Sequence, residues 1–189
     1  MLATLTPVLS GVGVAPVTSS YFSIATVTVG SGGASSISFT SIPSTYTHLQ
    51  IRALARQASG TGEAYGKLNF NSDSTSGSYY SLHQLYGDGS SASAGADSTS
   101  TYMQTGYFPP STGLASVYGG MVLDILDYTN TNKNKTVRNL SGFDVNGSGG
   151  FVLFRSGLWI KTSAITQIDL TVSNGVYAAN TQFALYGVK

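Results

Sequence analysis

The sequence contains no cysteine, and charged residues make up only 9% of its 189 residues. The absence of cysteine excludes disulfide bridges and thiolate metal sites. The charged fraction is far below the value of about a quarter that is usual for globular proteins. No Lys or Arg precedes Arg52, and the formal net charge is only +1. Nucleic-acid binding requires a basic face, so we expect no nucleic-acid partner.

Features of a secretory signal and of a membrane span are also missing. The first residues, Met1 to Pro7, carry no basic group, and Pro7, Gly11, Gly13 and Pro16 interrupt the apolar positions that follow. A signal peptide would need a basic start and an unbroken apolar stretch. We therefore expect neither export by a signal peptide nor membrane insertion.

Helical patterns are scarce, whereas aromatic and β-branched residues are plentiful. The chain has 12 Tyr and 8 Phe, and 41% of its residues are hydrophobic, which is enough to build a core. With so few charges, hydroxyl and amide groups must cover the surface. Such groups cost less to desolvate than ions, so this surface suits close packing between subunits.

Alternating apolar and polar residues predict many short strands. Leu49 and Ile51 lie on one side of a strand that runs from His48 to Arg52, and Lys67 to Phe70 repeats the pattern. Turn residues recur at short intervals between such segments, which is typical of a β-sandwich. We predict an all-β protein: an antiparallel, jelly-roll-like β-sandwich over residues 21–189, preceded by an extended N-terminal arm over residues 1–20.

Three further segments define expectations for the middle and the end of the chain. Residues 87–100 consist almost entirely of Gly, Ser, Ala and Asp, which predicts a surface loop. Residues 151–154 and 157–160 are predicted as two separate short strands. Trp159, in the second of these strands, is expected in the core or in an interface.

Candidate catalytic groups are few. The only histidines, His48 and His83, lie on the polar sides of predicted strands, and no nucleophile and base stand out beside them. A glycosidase needs two carboxylates across a cleft, which the sequence does not indicate. Three loop aspartates, Asp73, Asp88 and Asp97, could bind Ca²⁺, but no segment matches an EF-hand loop and turn formation is the favoured explanation. We predict no enzyme activity, no catalytic residues, no metal site and no cofactor.

Tyrosines cluster in the middle third of the chain. Tyr together with Ser, Gly and Asn is typical of adaptable binding surfaces, because the rings are large and rigid. The candidates for surface-binding aromatics are Tyr79, Tyr80, Tyr86, Tyr102 and Tyr107. The alternative is that these rings cover the edge of the sandwich or fill a subunit interface.

Three segments together resemble a family of virion proteins. They are residues 27–43 with 46–52, Asp124-Ile125-Leu126-Asp127-Tyr128 with Lys135-Thr136-Val137-Arg138, and the ending Gln182 to Lys189. The pattern is similar to that of small β-sandwich virion proteins of tailed bacteriophages, and it spans roughly residues 21–189. This resemblance implies a decoration protein of the capsid or a module of a tail or fibre, located on the phage particle and made in the cytoplasm of the bacterial host.

The resemblance leads to one expected function and two alternatives. The expected function is capsid decoration: a cement protein, as a homotrimer, that stabilises the phage head by self-association and by contacts with the major capsid protein. The arm would mediate assembly through its apolar residues Leu2, Leu5, Val8, Leu9, Val12 and Val14. The first alternative is a tail-fibre or tail-tip module that contacts tail proteins and binds host-surface glycan. The second is a glycan-degrading enzyme.

Overall fold

A computed structural model describes residues 19–60, 62–75, 79–147 and 149–189. These residues form twelve β-strands and no helix. The first six strands are β1 (Tyr21–Thr28), β2 (Ser36–Phe39), β3 (His48–Ala55), β4 (Ala64–Phe70), β5 (Tyr80–Gly87) and β6 (Ala92–Ser100). The last six are β7 (Met103–Phe108), β8 (Gly119–Ile125), β9 (Lys135–Asp144), β10 (Gly150–Trp159), β11 (Ile168–Val172) and β12 (Gln182–Val188).

The strands form two antiparallel sheets that pack face to face. The larger sheet has eight strands in the order β1-β12-β3-β8-β9-β10-β5-β6, and the smaller has four in the order β2-β11-β4-β7. Strands β1-β12-β3-β8 and β2-β11-β4-β7 are the two halves of a jelly roll, because the chain passes from one half to the other at nearly every connection. The predicted all-β, jelly-roll-like sandwich is therefore confirmed.

Two hairpins extend the larger sheet beyond the jelly roll. Strands β9 and β10 form one hairpin and lie next to β8, while β5 and β6 form the other and lie beyond β10. The edge strand β7 of the smaller sheet packs against β9 and β10 and also contacts β5. The larger sheet is thus twice as wide as its jelly-roll half.

The core lies between the two sheets and follows the alternation of the strands. In β9 every second residue is buried, and the same holds for β4, so each strand has one face in the core. The largest buried apolar side chains include Trp159, Phe70, Phe108 and Phe183. Trp159 packs against Phe70 with ring centroids 5.3 Å apart, so its predicted place in the core is confirmed.

Two predictions about segments are wrong. The segment 87–100 is not a loop throughout, because Ala92–Ser100 forms β6 and pairs with β5. Residues 151–154 and 157–160 are not separate strands, because one strand, β10, runs through both. A side chain at Gly157 would collide with Met103, which packs over this point, so the glycine makes room for a core residue and does not end the strand.

The first strand of the described residues, β1, begins at Tyr21. The arm residues 1–18 lie outside the described residues. Within the described part of the chain, no helix is long and apolar enough to cross a membrane.

Candidate functional site

The most unusual surface of the protein is the face of the larger sheet that points away from the smaller sheet, here called the outer face. It carries six large apolar side chains that are well exposed to solvent: Leu54, Leu85, Val122, Leu140, Val152 and Phe154. Leu140 is 57% exposed and Val152 is 67% exposed. Single exposed apolar residues are ordinary, but a contiguous group on one face marks an interaction site.

Four of these side chains form a continuous row across four neighbouring strands. Val122 in β8 lies opposite Leu140 in β9, Leu140 lies opposite Phe154 in β10, and Phe154 lies opposite Leu85 in β5. Directly opposite residues on one face of a sheet have their Cβ atoms about 5 Å apart, so the four side chains touch in sequence. We call Val122, Leu140, Phe154 and Leu85 the apolar row.

A depression lies beside the apolar row, over strands β12, β3 and β8. Its lining includes Leu54, Gly120, Ala184 and Tyr186, and its volume is about 350 Å³. Gly120 leaves the floor open, because a methyl group at this position would meet no atom within 4 Å. A second depression, with a volume of about 440 Å³, lies at one end of β5, β9 and β10, where Gly87, Gly142 and Val152 contribute to its lining.

A polar row runs parallel to the apolar row on its other side. Gln50, Asp124 and Arg138 lie opposite one another on β3, β8 and β9. The Nε2 of Gln50 donates a hydrogen bond of 2.8 Å to Asp124 Oδ1, and the Nε of Arg52 donates one of 2.8 Å to Gln50 Oε1. The side chain of Arg138 is exposed and makes no hydrogen bond or ion pair with any residue in the described ranges.

Arg52 links the polar row to the edge of the sheet. Its guanidinium carbon lies 5.1 Å from the ring centroids of both Tyr21 and Tyr186. Two aromatic rings therefore hold this cation in place on the outer face. The outer face thus offers exposed apolar area, two depressions and a few fixed charges, which is the chemistry of protein association.

The histidines do not share a site. The Nδ1 of His48 accepts a hydrogen bond of 3.0 Å from the backbone N–H of Asp127. His83 lies on the outer face of β5, four strands from β3, or about 19 Å away at ordinary strand spacing. Lys133 hydrogen-bonds to Asp127, which lowers the pKa of that carboxyl.

The three selected aspartates bond to groups of the protein, and Asp97 lies in strand β6 and not in a loop, where it accepts a hydrogen bond of 3.1 Å from the backbone N–H of Thr99. Asp88 accepts hydrogen bonds from the backbone N–H groups of Ser90 and Ser91, which lower its pKa to about 2. Asp73 accepts a hydrogen bond of 3.0 Å from the indole N–H of Trp159. No group of three potential metal-ligating side chains occurs in the part of the chain that the structure describes.

Three of the five tyrosines selected from the sequence lie in an aromatic seam at the open side of the sandwich. In this seam Tyr65 contacts both Tyr102 and Tyr107, and Phe151 contacts Tyr107, Tyr86 and Phe143. Tyr107 stacks on Phe151 at 5.0 Å, and the guanidinium of Arg155 lies 5.3 Å from the centroid of the Tyr107 ring. These rings pack mainly on one another, which closes the gap between the sheets.

Arg155 is a buried cation behind this seam. Its Nε donates a hydrogen bond of 2.8 Å to Gln84, its Nη2 donates one of 3.2 Å to Gln104, and burial lowers its pKa to about 10. No carboxylate in the described part of the chain pairs with Arg155. Two amide oxygens and the face of an aromatic ring stabilise its charge instead.

The other two selected tyrosines lie apart from the seam. Tyr79 is half-buried, and the Nζ of Lys161 lies 3.7 Å from its ring centroid. Tyr80 is buried, stacks on Trp159 and accepts a hydrogen bond from the backbone N–H of Phe70. The prediction that Tyr80 contributes to a binding surface is therefore wrong.

The six arm residues selected for assembly, Leu2, Leu5, Val8, Leu9, Val12 and Val14, lie outside the described residues. The apolar row was not predicted from the sequence, although one strand of it carries a recognisable pattern. Residues 151–154 read Phe-Val-Leu-Phe, so both faces of that strand are apolar. In an antiparallel sheet a strand that is apolar on both faces indicates that something covers each face.

No protein-family model, no curated protein and no solved structure matches this chain.

Proposed function

We propose that this chain is a structural protein of a tailed-phage virion, and that it decorates the capsid as a cement protein. The observation that carries the proposal is the apolar row on the outer face. A soluble monomer gains nothing from leaving six large apolar side chains exposed on one face, whereas a subunit of an assembly buries them. The resemblance of residues 21–189 to small virion proteins of tailed phages supports the location.

The shape and composition of the protein fit this role. A wide sheet backed by a well-packed jelly roll presents a rigid surface, and rigid surfaces lose little conformational entropy on binding. The scarcity of charge keeps the desolvation cost of assembly low. In this proposal the outer face is the assembly surface, and the aromatic seam stabilises the fold behind it.

Quantitative mass spectrometry of purified virions tests the proposal. We expect copy numbers of the same order as the major capsid protein. A few copies per particle would assign the chain to the tail, as in the alternative of a glycan-binding fibre module, and complete absence from virions would contradict the proposal.

A pair of variants tests the role of the outer face in the particle. Leu140→Lys places a charge in the middle of the apolar row and should reduce incorporation into virions at least tenfold, because an unpaired charge must be desolvated. The matched control is Leu114→Lys, since Leu114 is 52% exposed but lies in the loop between β7 and β8. Equal incorporation of both variants into virions would show that the outer face is not the assembly surface.

A further inference from the structure

We infer that the partner of the outer face is a second copy of this chain, packed sheet against sheet about a two-fold axis. The inference names the partner of the assembly surface and to that extent rests on the proposed function. It follows from the way in which the two halves of the outer face complement each other.

The strand order defines the axis. Four strands, β1, β12, β3 and β8, lie on one side of the midline of the larger sheet, and β9, β10, β5 and β6 lie on the other. A two-fold axis that lies in the interface and runs along this midline sets β9 of one copy over β8 of the other. It likewise sets β10 over β3. Both contacts occur twice, as in every isologous interface.

Apolar side chains meet about this axis. Leu140 of β9 faces Val122 of β8, and Val152 of β10 faces Leu54 of β3, because the two members of each pair lie in the same cross-strand row. Phe154 of β10 faces Arg52 of β3 in the same way, and a guanidinium over an aromatic ring is a favourable contact. Sheets that pack face to face bring such side chains together at a separation of about 10 Å.

Charge is complementary about the same axis. Arg138 in β9 and Asp124 in β8 occupy the same cross-strand row, one on each side of the midline. The axis therefore brings Arg138 of each copy to Asp124 of the other and forms two equivalent ion pairs. Arg138 has no partner among the residues described within its own chain, so a second copy supplies one.

The available area fits a stable dimer. Eight strands at about 4.8 Å spacing and about eight residues in length give a face of roughly 33 by 26 Å, or about 860 Å². A standard protein interface buries about 800 Å² on each partner. The outer face is therefore large enough for self-association without any contribution from the rest of the surface.

Sedimentation analysis of the full chain over a dilution series tests the inference. The wild-type protein should sediment as a species of twice its 19.6 kDa at high concentration. Asp124→Arg and Arg138→Asp should each raise the dimer dissociation constant at least about 100-fold, because each creates two like-charge contacts across the axis. Leu140→Lys should have a similar effect, while Leu114→Lys should sediment like the wild type.

Mixing the two charge variants provides the decisive measurement. In a heterodimer of Asp124→Arg with Arg138→Asp, both contacts across the axis join an arginine to an aspartate, so the mixture should dimerise although neither variant does so alone. A misfolded variant could not be rescued in this way, and circular dichroism of each variant verifies the fold.

Three outcomes would overturn the inference: a wild-type chain that stays monomeric throughout the series, a trimeric mass, or charge variants that fail to associate when mixed while the wild type dimerises. Incorporation of a monomeric wild-type chain into virions would leave the proposed function standing and assign the outer face to another virion protein. Dimerisation of a chain that is absent from virions would leave the inference standing and remove the proposed function.

Discussion

At the scale of single residues, Tyr80 shows how a polar group is accommodated in this core. Its hydroxyl accepts a hydrogen bond from Phe70 N and donates one of 3.1 Å to the carbonyl oxygen of Asp73. Its ring stacks on Trp159, which in turn bonds to Asp73. The phenol therefore ties β5 to the end of β4 and cannot ionise without disturbing this network.

This burial predicts alkaline sensitivity. Burial raises the pKa of Tyr80 to about 12 from an ordinary value of 10.0. The folded state thus favours the protonated phenol, so its contribution to stability is complete below pH 10 and is lost as the pH rises towards 12. A shift of two units corresponds to roughly 2–3 kcal/mol of unfolding free energy.

Urea unfolding at pH 8 and at pH 11 measures the effect. Tyr80→Phe should be less stable than the wild type at pH 8, because it loses two hydrogen bonds, but should lose less further stability at pH 11. Burial also raises the pKa of Tyr177, so the difference between the two chains isolates the contribution of Tyr80. Tyr21→Phe, at an exposed ring, is the control and should follow the wild type; an identical pH response in Tyr80→Phe would contradict the prediction.

Individual residues also show what the sequence can predict. The alternation around Leu49 and Ile51 correctly identified two core residues, because a strand has a period of two. The same reasoning could not place Tyr80, because tyrosine is compatible with both core and surface. Its burial depends on Trp159, which pairs with it across β5 and β10 and is distant in the sequence.

At the scale of strands, β6 is the weakest element of the larger sheet. It has one neighbour, β5, and none of its nine residues is buried. Its Ala, Ser and Gly residues have low β-propensity, which is why the segment was predicted to be a loop. Pairing with β5 overrides this local preference, and Asp88 stabilises the turn that brings the two strands together.

Hydrogen exchange should reveal this weakness. Amides of β6 should exchange at least about 100-fold faster than those of β9, because edge strands without buried side chains open locally, whereas β9 is paired on both sides. Mass spectrometry of peptides that cover Ala92–Ser100 and Lys135–Asp144 provides the comparison. Equal protection of the two strands would show that β6 is stabilised by contacts beyond β5.

The strand pattern predicted the fold class but not the width of the larger sheet. Alternation and turn spacing are local properties, and they indicated a jelly-roll-like sandwich correctly. The addition of the β5–β6 and β9–β10 hairpins to one sheet depends on pairings such as Val122 with Leu140, which no local pattern encodes. Half of the apolar row lies on β10 and β5. The outer face could therefore not be predicted from the sequence.

At the scale of the whole molecule, self-association should make thermal stability depend on concentration. Because a dimer unfolds to two chains, mass action should raise the wild-type melting temperature by about 2 °C for each tenfold increase in concentration. Asp124→Arg should melt at a temperature that does not change with dilution. Scanning calorimetry over a hundredfold range measures both, and a wild-type melting temperature independent of concentration would contradict the prediction.

The position of β12 has a consequence for how the chain reaches its native state. β12 pairs with β1 on one side and with β3 on the other, although both of those strands come from the opposite end of the sandwich sequence. While the ribosome is still producing the middle of the chain, β1 and β3 have no strand between them and the jelly roll cannot close. Such distant pairings slow folding, because loop entropy must be lost before contacts compensate for it. The open edges of β1 and β3 are thus the segments that most need protection from aggregation during synthesis.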